Sequence, residues 1–273
     1  MIISTDTIDD IAREVVVAGK SVLFAFDCDE VLTTLSEQIW KQPGCQFLSE
    51  WCKRNIPNVS EQEIYDVATS ILVSSENFLV NQEMPRLVRD LKSKKARAVV
   101  LTALSTKPVA SVNNPMLWRV ETLRSLGYNF RKFWPRLRDR CFTEFDCRYP
   151  PAYSSGVVCC GNTPKGASLE AFLGHANVRP GKVVFIDDKI ENVEDVGATC
   201  KRNGIEFSGI EYHGAKNSES QGPFSEKILE YQLATLLEKK IWISDREIGT
   251  HLPRASERDR PCVPQIRGFP ATT

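Results

Sequence analysis

Two pairs of carboxylates stand directly after two short apolar segments of the chain. Val22–Phe26 is followed by Asp27-Cys28-Asp29, and Val183–Ile186 is followed by Asp187-Asp188. Short runs rich in Val, Leu and Phe favour strands that are buried on both faces of a sheet. Open parallel sheets bind ligands just beyond the carboxyl ends of their strands. The two acidic strand ends are therefore candidates for a chemical site.

Neighbouring strands would bring these acids together, and their charges would repel one another. An all-oxygen ligand set favours a hard divalent cation such as Mg²⁺, which would relieve the repulsion. Carboxylates at strand ends also serve simply as turn formers. One such pair would mean little, but two in one chain favour a site over coincidence.

The elements around these carboxylates alternate between strand and helix. Further strands are predicted at 96–101, 157–160 and 205–212, and helices at 8–18, 115–126, 163–173, 190–203 and 224–243. This alternation predicts an α/β protein with a parallel sheet. Within residues 33–95 the pattern is helical, with a capping box at Ser60-Glu61-Gln62-Glu63. The residues after Asp245 contain four prolines and no periodicity, which indicates a tail.

Composition excludes several classes of protein. The 35 basic and 35 acidic residues balance, whereas a nucleic-acid-binding protein would show a basic excess. Nine scattered cysteines, an odd number, indicate a reduced intracellular protein. The three histidines are far apart in the sequence, so a His/Cys zinc site has little support. Residues 1–18 carry acids and lack a long apolar core, and no apolar run has the length of a membrane span, so we expect a soluble, cytoplasmic protein without a signal peptide or transmembrane segment.

Four motifs in a fixed order resemble the haloacid dehalogenase (HAD) superfamily of phosphohydrolases. They are Asp27-Cys28-Asp29, Thr102 at the end of a strand, Lys165 at the start of a helix, and Asp187-Asp188. Each motif is common, but the ordered set, spread over residues 22–212, is fairly specific. The stretches at 100–104, 161–166 and 185–188 are also similar to a poorly characterised bacterial branch of HAD proteins, found largely in intracellular pathogens.

The resemblance implies a role for each residue. Asp27 would be the nucleophile that forms an aspartyl-phosphate, and Asp29 would protonate the leaving oxygen and later deprotonate water. Thr102, the backbone N–H of Ala103 and Lys165 would bind phosphate. Mg²⁺ would be held by Asp27, Asp187, Asp188 and the backbone carbonyl of Asp29. Glu191, Glu194 and Asp195 are interpreted as the polar face of a helix.

The resemblance also implies a three-layer Rossmann-like HAD core with a small helical cap. The core would comprise residues 1–32 and 96–244, the cap 33–95, and the tail 245–273. The cap would partly cover the site and exclude water. The expected activity is Mg²⁺-dependent hydrolysis of phosphomonoesters, with a phosphoprotein, in particular phosphotyrosine, or a small phosphoester as substrate.

Three alternatives stay open at this point: a phosphotransferase, a small-metabolite phosphatase, and a non-catalytic effector that binds a partner. Delivery into a host cell is compatible with the resemblance. The tail could dock on a partner or a membrane, and so could residues 128–156, where aromatic residues alternate with arginines. Such a segment suits RNA, an acidic lipid surface or a phosphoprotein, but it is equally typical of a loop whose aromatic residues pack inward. A cysteine phosphatase is disfavoured, because no cysteine has an arginine six positions later.

Overall fold

The fold is seen in a computed structural model, which describes residues 1–110, 112–217 and 224–248. Eight strands form one sheet: β1 (Ile2–Thr5), β2 (Val22–Phe26), β5 (Arg97–Thr102), β6 (Arg140–Cys141), β7 (Ala152–Ser154), β8 (Val157–Cys159), β9 (Lys182–Asp187) and β10 (Glu206–Tyr212). Two short strands, β3 (Thr33–Leu35) and β4 (Asn77–Leu79), pair separately.

The large sheet is mostly parallel. Its strand order is β1-β10-β9-β2-β5-β8-β7-β6, and only the pairs β8–β7 and β7–β6 are antiparallel. The apolar runs of β2, β5 and β9 lie in its centre, buried on both faces. The predicted α/β class with a parallel sheet is confirmed, and the central position of β2 between β9 and β5 brings three strand ends to one edge. Strands β1, β6 and β7, which add the two outer edges, are absent from the sequence prediction.

The described residues also form eight α-helices: α1 (Ile8–Val17), α2 (Gly44–Asn55), α3 (Glu61–Ser74), α4 (Met84–Ser93), α5 (Pro115–Ser125), α6 (Lys165–Ala176), α7 (Ile190–Arg202) and α8 (Glu226–Lys239). The predicted capping box is present, since Ser60 and Glu63 exchange hydrogen bonds at the start of α3. Helix α8 is shorter than the predicted 224–243. It ends where Lys240 adopts a left-handed conformation.

One face of the sheet packs against α6 and α7 through a continuous apolar core. Alternate residues of the central strands, among them Leu23, Val99 and Val183, contact Phe172 and Val196 from these helices. Burying each such side chain contributes about 1.5–3 kcal/mol relative to leaving it in water. This layer fixes the starts of α6 and α7 at the carboxyl edge of the sheet.

The chain divides into two compact units, at boundaries that differ from the expected ones. The first unit contains residues 1–34 and 77–217, and the second contains residues 35–76 and 224–248 of the described chain. The expected insertion, 33–95, is therefore shorter at its carboxyl end. Residues 84–93 form α4, whose apolar face packs against α1 and β5 in the first unit.

The second unit also contains α8, a helix that was predicted to belong to the core at 96–244. Leu229 and Leu233 of α8 share one apolar core with Phe47 and Trp51 of α2 and Ile71 of α3. The amphipathic face of α8 was visible in the sequence, but its partner lies more than 150 positions earlier in the chain. No local pattern indicates which apolar surface a helix will cover.

The first residues of the expected tail are anchored within the second unit. The carboxylate of Asp245 accepts hydrogen bonds from the backbone N–H of Gln38, at 2.6 Å, and from the side chain of Gln232. The predictions for the tail beyond residue 248 lie outside the described residues. Across the described ranges, no helix is both long enough and apolar enough to cross a membrane.

Candidate active site at the carboxyl edge of the sheet

The register of the central strands places the two acidic strand ends side by side. Phe26 of β2 lies opposite Ile186 of β9, and the backbone N–H of Asp27 donates to the carbonyl oxygen of Ile186 at 2.8 Å. One carboxylate oxygen from each of Asp27, Asp187 and Asp188 lies within 4.8 Å of the other two. The acids of two distant sequence segments thus form one cluster.

Lys165, the first residue of α6, reaches into this cluster. Its Nζ lies 2.7 Å from Oδ1 of Asp27 and 2.7 Å from Oδ2 of Asp187, and the side chain is only 4% exposed. Burial opposes the positive charge, but the two carboxylates outweigh it and hold the pKa of Lys165 above its ordinary value. The ammonium is therefore charged, and it bridges the two strand ends.

One ammonium does not neutralise three carboxylates. Burial raises the pKa of Asp27 to about 8. Lys165 opposes that shift, and the charges of Asp187 and Asp188 add to it. Burial and the neighbouring charge of Asp187 raise the pKa of Asp188 to about 6. The cluster therefore carries an excess of negative charge, which a divalent cation would neutralise.

The carboxylate of Asp187 is held from both sides. Oδ2 accepts from Lys165, whereas Oδ1 accepts from the backbone N–H of Lys189 at 3.0 Å and from Nδ2 of Asn192 at 2.9 Å. These contacts fix the orientation of a fully buried acid at the end of β9, just before α7. Asn192 was not identified from the sequence, since an asparagine in the first turn of a helix is unremarkable there.

The start of α6 is held in place by α7. The backbone N–H of Gly166 donates to Oδ2 of Asp195 at 2.7 Å. A Cβ at position 166 would lie 2.3 Å from Oγ1 of Thr199 and 2.8 Å from the carbonyl oxygen of Asp195. Asp195 therefore anchors the helix that presents Lys165. Its interpretation as part of a polar face is corrected, while Glu191 and Glu194 are indeed exposed.

The remaining predicted phosphate-binding residues lie on the same sheet edge. Thr102 ends β5, two positions beyond the pair Val100–Phe26, and is fully buried. Its Oγ1 accepts from the N–H of Leu104 at 3.3 Å, which leaves the hydroxyl proton able to donate elsewhere. Ala103, the next residue, is exposed.

Asp29 lies apart from the three clustered acids. Both of its carboxylate oxygens are 2.9 Å from Nη2 of Arg119, a residue of α5. The metal contact predicted for Asp29 uses its backbone carbonyl and not its carboxylate. The position of the carboxylate therefore does not test that contact, which stays a prediction. Arg119 was missed by the sequence analysis. The sequence feature that could have identified it is its helical spacing from two apolar residues, because Pro115, Arg119 and Leu123 occupy the buried face of one helix.

Thiol chemistry has no support at this site. Cys28, between the two predicted catalytic acids, is fully buried, and burial raises the pKa of its thiol to about 12. Burial likewise raises the pKa of Cys160 to about 11. Reactive cysteines need a lowered pKa. Both residues pack as small apolar side chains, as predicted.

Most aromatic side chains of residues 128–156 pack inward. Tyr128, Phe130, Trp134 and Tyr153 are buried, whereas the arginines of the segment are mainly exposed. A cavity of about 610 Å³ lies beside the start of this segment, with apolar walls and four basic side chains, Arg89, Lys92, Arg124 and Lys132. The inward packing matches the loop alternative, and the predicted ligand classes stay predictions.

The fold and site define an α/β protein that gathers acids and one buried lysine at the carboxyl edge of a mostly parallel sheet. The chain belongs to the family described as "Protein of unknown function (DUF2608)", which matches residues 4–249. It is 23% identical to a Chlamydia pneumoniae protein named "Putative outer membrane protein", over 85% of this chain and 87% of that protein.

Two other relatives have similar identities to this chain. A "Putative outer membrane protein" of Chlamydia trachomatis is 25% identical over 79% of this chain and 78% of its own length. An uncharacterized protein of Rickettsia prowazekii is 25% identical over 64% of this chain and 62% of its own length. No solved structure matches the chain.

Proposed function

We propose that this protein is a Mg²⁺-dependent phosphomonoester hydrolase of the HAD type, which works through an aspartyl-phosphate. The observation that carries the proposal is the position of Lys165. Its ammonium lies 2.7 Å from a carboxylate oxygen of both Asp27 and Asp187, residues from opposite ends of the motif order. A solvated lysine at a helix start would have no reason to be buried between two acids.

The acidic cluster suits a hard divalent cation. Asp27, Asp187 and Asp188 offer three carboxylate oxygens within 4.8 Å of one another, and oxygen is the ligand that Mg²⁺ prefers. Burial raises the pKa values of Asp27 and Asp188, and the charges of the neighbouring carboxylates add to the shift. When bound, Mg²⁺ would reduce the repulsion between these acids and a phosphate dianion.

In the first half-reaction, a carboxylate oxygen of Asp27 attacks the phosphorus atom of the ester. The new bond joins phosphorus to Asp27, and the bond between phosphorus and the leaving oxygen breaks. The carboxyl group of Asp29 donates its proton to that oxygen, so the product leaves as a neutral alcohol. Lys165, beside Asp27, stabilises the charge on the transferring group.

In the second half-reaction, water attacks the phosphorus atom of the aspartyl-phosphate. Asp29, now a carboxylate, takes a proton from the water, and the bond between phosphorus and Asp27 breaks. The hydroxyl of Thr102 and the N–H of Ala103 donate to phosphate oxygens in both steps. Free phosphate is released, and the two acids return to their starting states.

The substrate class is determined by measuring turnover on two panels of substrates, one of phosphopeptides and one of small phosphorylated metabolites. We expect Mg²⁺-dependent release of phosphate from phosphotyrosine peptides or from small phosphorylated metabolites, and the ratio of kcat/KM values identifies the class. A phosphotransferase would give less free phosphate when alcohol acceptors compete with water. Absence of turnover on both panels, with Mg²⁺ present, would contradict the enzymatic proposal and favour a partner-binding role.

The decisive variant is Asp27→Asn, which keeps the size of the side chain but removes the nucleophile. We expect turnover to fall below detection, while thermal unfolding shows that the protein is folded. The matched control is Glu194→Gln, the same chemical change at an exposed position of α7. If both variants keep the wild-type rate, Asp27 is not the nucleophile.

Two further features belong to this proposal. The second unit, residues 35–76 and 224–248, would correspond to the helical cap of HAD proteins. The protein would work in a reducing compartment, which is supported by eight cysteines that are free thiols in the described chain. The relatives named as outer membrane proteins suggest a different location. Cell fractionation, with thiol labelling of the native protein, distinguishes the two.

A further inference from the structure

Arg119 is a fully buried arginine that forms a hydrogen-bonded ion pair with the carboxylate of Asp29. Arg119 lies in α5, which is the helix that follows β5 in the chain. The first residues of α5 therefore lie on the side of the sheet where the parallel strands end. Nη2 of Arg119 is 2.9 Å from both oxygens of Asp29. The guanidinium is 0% exposed, and its Cζ lies 4.9 Å from the centre of the Trp118 ring.

The remaining donors of Arg119 are poorly satisfied. Nε and Nη1 are buried, and neither has a hydrogen-bond partner among the residues that the structure describes. Buried polar groups without partners are costly, and a buried ion pair is weak support for stability. An apolar side chain of similar length would fill the same space without this cost. The arginine is therefore a poor choice for packing alone.

The two partners differ in their access to water. The side chain of Asp29 is 38% exposed, whereas Arg119 has no exposed surface. Because Arg119 cannot reach solvent, it cannot contact a substrate directly. Its influence on a ligand at the sheet edge passes through Asp29, whose two oxygens are held by a single nitrogen and cannot rotate freely.

We propose that Arg119 is a positioning residue, which fixes the carboxylate of Asp29 in the orientation needed for proton transfer to and from the reacting phosphoester. This inference rests on the proposed function and adds a residue that the four motifs do not contain. It explains why a buried guanidinium with unpartnered donors is kept beside a half-exposed acid. Misplacement of a reacting group by about 1 Å can lower a rate 10²-fold.

The test compares Arg119→Met and Arg119→Lys with the wild-type protein under Mg²⁺, on a substrate that the wild-type protein turns over. We expect Arg119→Met to lower kcat about 10²-fold, since Asp29 is no longer held, with KM changed less than about threefold. Arg119→Lys should recover part of the loss, because an ammonium still pairs with a carboxylate. Arg13→Met, which removes an exposed arginine that pairs with Asp10 in α1, is the control and should keep both constants.

Thermal unfolding supplies a readout that does not depend on activity. Loss of Arg119 leaves a carboxylate that water can solvate, whereas loss of Asp29 leaves a buried guanidinium without its anion. We therefore expect Asp29→Ala to lower the unfolding temperature more than Arg119→Met does. The reverse order, or failure of Arg119→Met to fold, would assign Arg119 a structural role and overturn the inference.

The kinetic outcomes separate the inference from the function on which it rests. A wild-type enzyme that turns over substrate, with an unchanged kcat in Arg119→Met, overturns the positioning role alone. A raised KM at constant kcat does the same, because it indicates a substrate-binding cation. A wild-type protein without turnover on any phosphoester removes the proposed function and the positioning role together, whatever the unfolding temperatures.

Discussion

At the scale of single residues, the site is organised by an imbalance of charge. Three carboxylates share one buried ammonium, and the pKa of Asp27 is raised to about 8 by its burial in spite of the ion pair with Lys165. The lysine therefore has two functions in our account. It holds Asp27 and Asp187 together in the absence of metal, and it stabilises the phosphoryl group during transfer.

Lys165→Met separates these two functions. Without metal, the variant should be less stable than wild type by about 3–5 kcal/mol, because two buried acids lose their partner. Mg²⁺ should then raise its unfolding temperature by more than it raises that of wild type, since the more negative cluster binds the cation more tightly. Turnover should fall about 10²–10³-fold.

The matched control for this substitution is Lys182→Met, at the other end of β9. Lys182 pairs with Glu14 at 2.9 Å, so its loss also removes an ion pair. Mg²⁺ should raise the unfolding temperature of Lys182→Met by the same amount as it raises that of wild type. Equal Mg²⁺ effects in Lys165→Met and wild type would contradict the role of Lys165 in the cluster.

At the scale of elements, the close approach of α6 to α7 sets the position of Lys165. Gly166 permits this approach, because a Cβ there would lie 2.3 Å from Thr199 and 2.8 Å from the backbone of Asp195. Backbone cannot yield as a flexible side chain can. A larger residue must therefore move the start of α6, and Lys165 with it.

Gly166→Ala should destabilise the protein by about 1–3 kcal/mol and lower turnover, as measured by chemical denaturation and steady-state kinetics. Gly174→Ala in the same helix is the control. A Cβ at position 174 has no atom within 4 Å, so alanine should stabilise the helix by about 0.5–1 kcal/mol. Equal stability of the two variants would show that α6 and α7 are not in close contact.

The central strands and their acids could be predicted because the signal is local. The runs at 22–26 and 183–186 are apolar over their whole length and are followed directly by acids, and parallel pairing alone brings such ends together. Arg119 and Asp195 could not be assigned, since their partners belong to other elements. A charged residue on a helix is most often solvated, and only the packing of that helix shows otherwise.

At the scale of the whole chain, two sequence segments far apart form the second unit. Residues near Glu37 and Asp245 meet through hydrogen bonds, including one from the N–H of Asp245 to Oε2 of Glu37 at 2.8 Å. Burial raises the pKa of Glu37 to about 7, and the nearby carboxylates of Asp245 and Glu247 add to this shift. The junction therefore holds an acid that titrates near neutral pH.

This acid makes stability depend on pH. The pKa of Glu37 is higher in the folded than in the unfolded chain, so its protonated form stabilises the fold. The contribution is full below about pH 4.5 and is lost as the pH rises through about 7. It is on the order of 3 kcal/mol, from 1.36 kcal/mol for each pKa unit.

Glu37→Gln should flatten this dependence, because the amide stays neutral and keeps an acceptor oxygen. Chemical denaturation at pH 5, 6, 7 and 8 measures it. Glu76→Gln, an exposed position of the same unit, should keep the wild-type slope. A wild-type slope in Glu37→Gln would mean that Glu37 does not control the junction.

The boundary of the second unit could not be predicted either. The helix at 226–239 shows an apolar face in the sequence, yet nothing in that face distinguishes the sheet from the helices at 44–74 as its partner. The expected core, residues 1–32 and 96–244, included this helix. The structure shows that packing decides the assignment.

The covalent intermediate is the most direct test of the central claim. Asp29→Asn, mixed with Mg²⁺ and an aryl phosphate, should accumulate it, because a phenolate leaves without proton donation and the adduct then lacks a base for hydrolysis. After acid quenching and digestion, mass spectrometry should find one phosphoryl group on Asp27. The double variant that also carries Asp27→Asn should show none. A phosphoryl group on another residue, or no adduct although wild type hydrolyses the ester, would contradict the account.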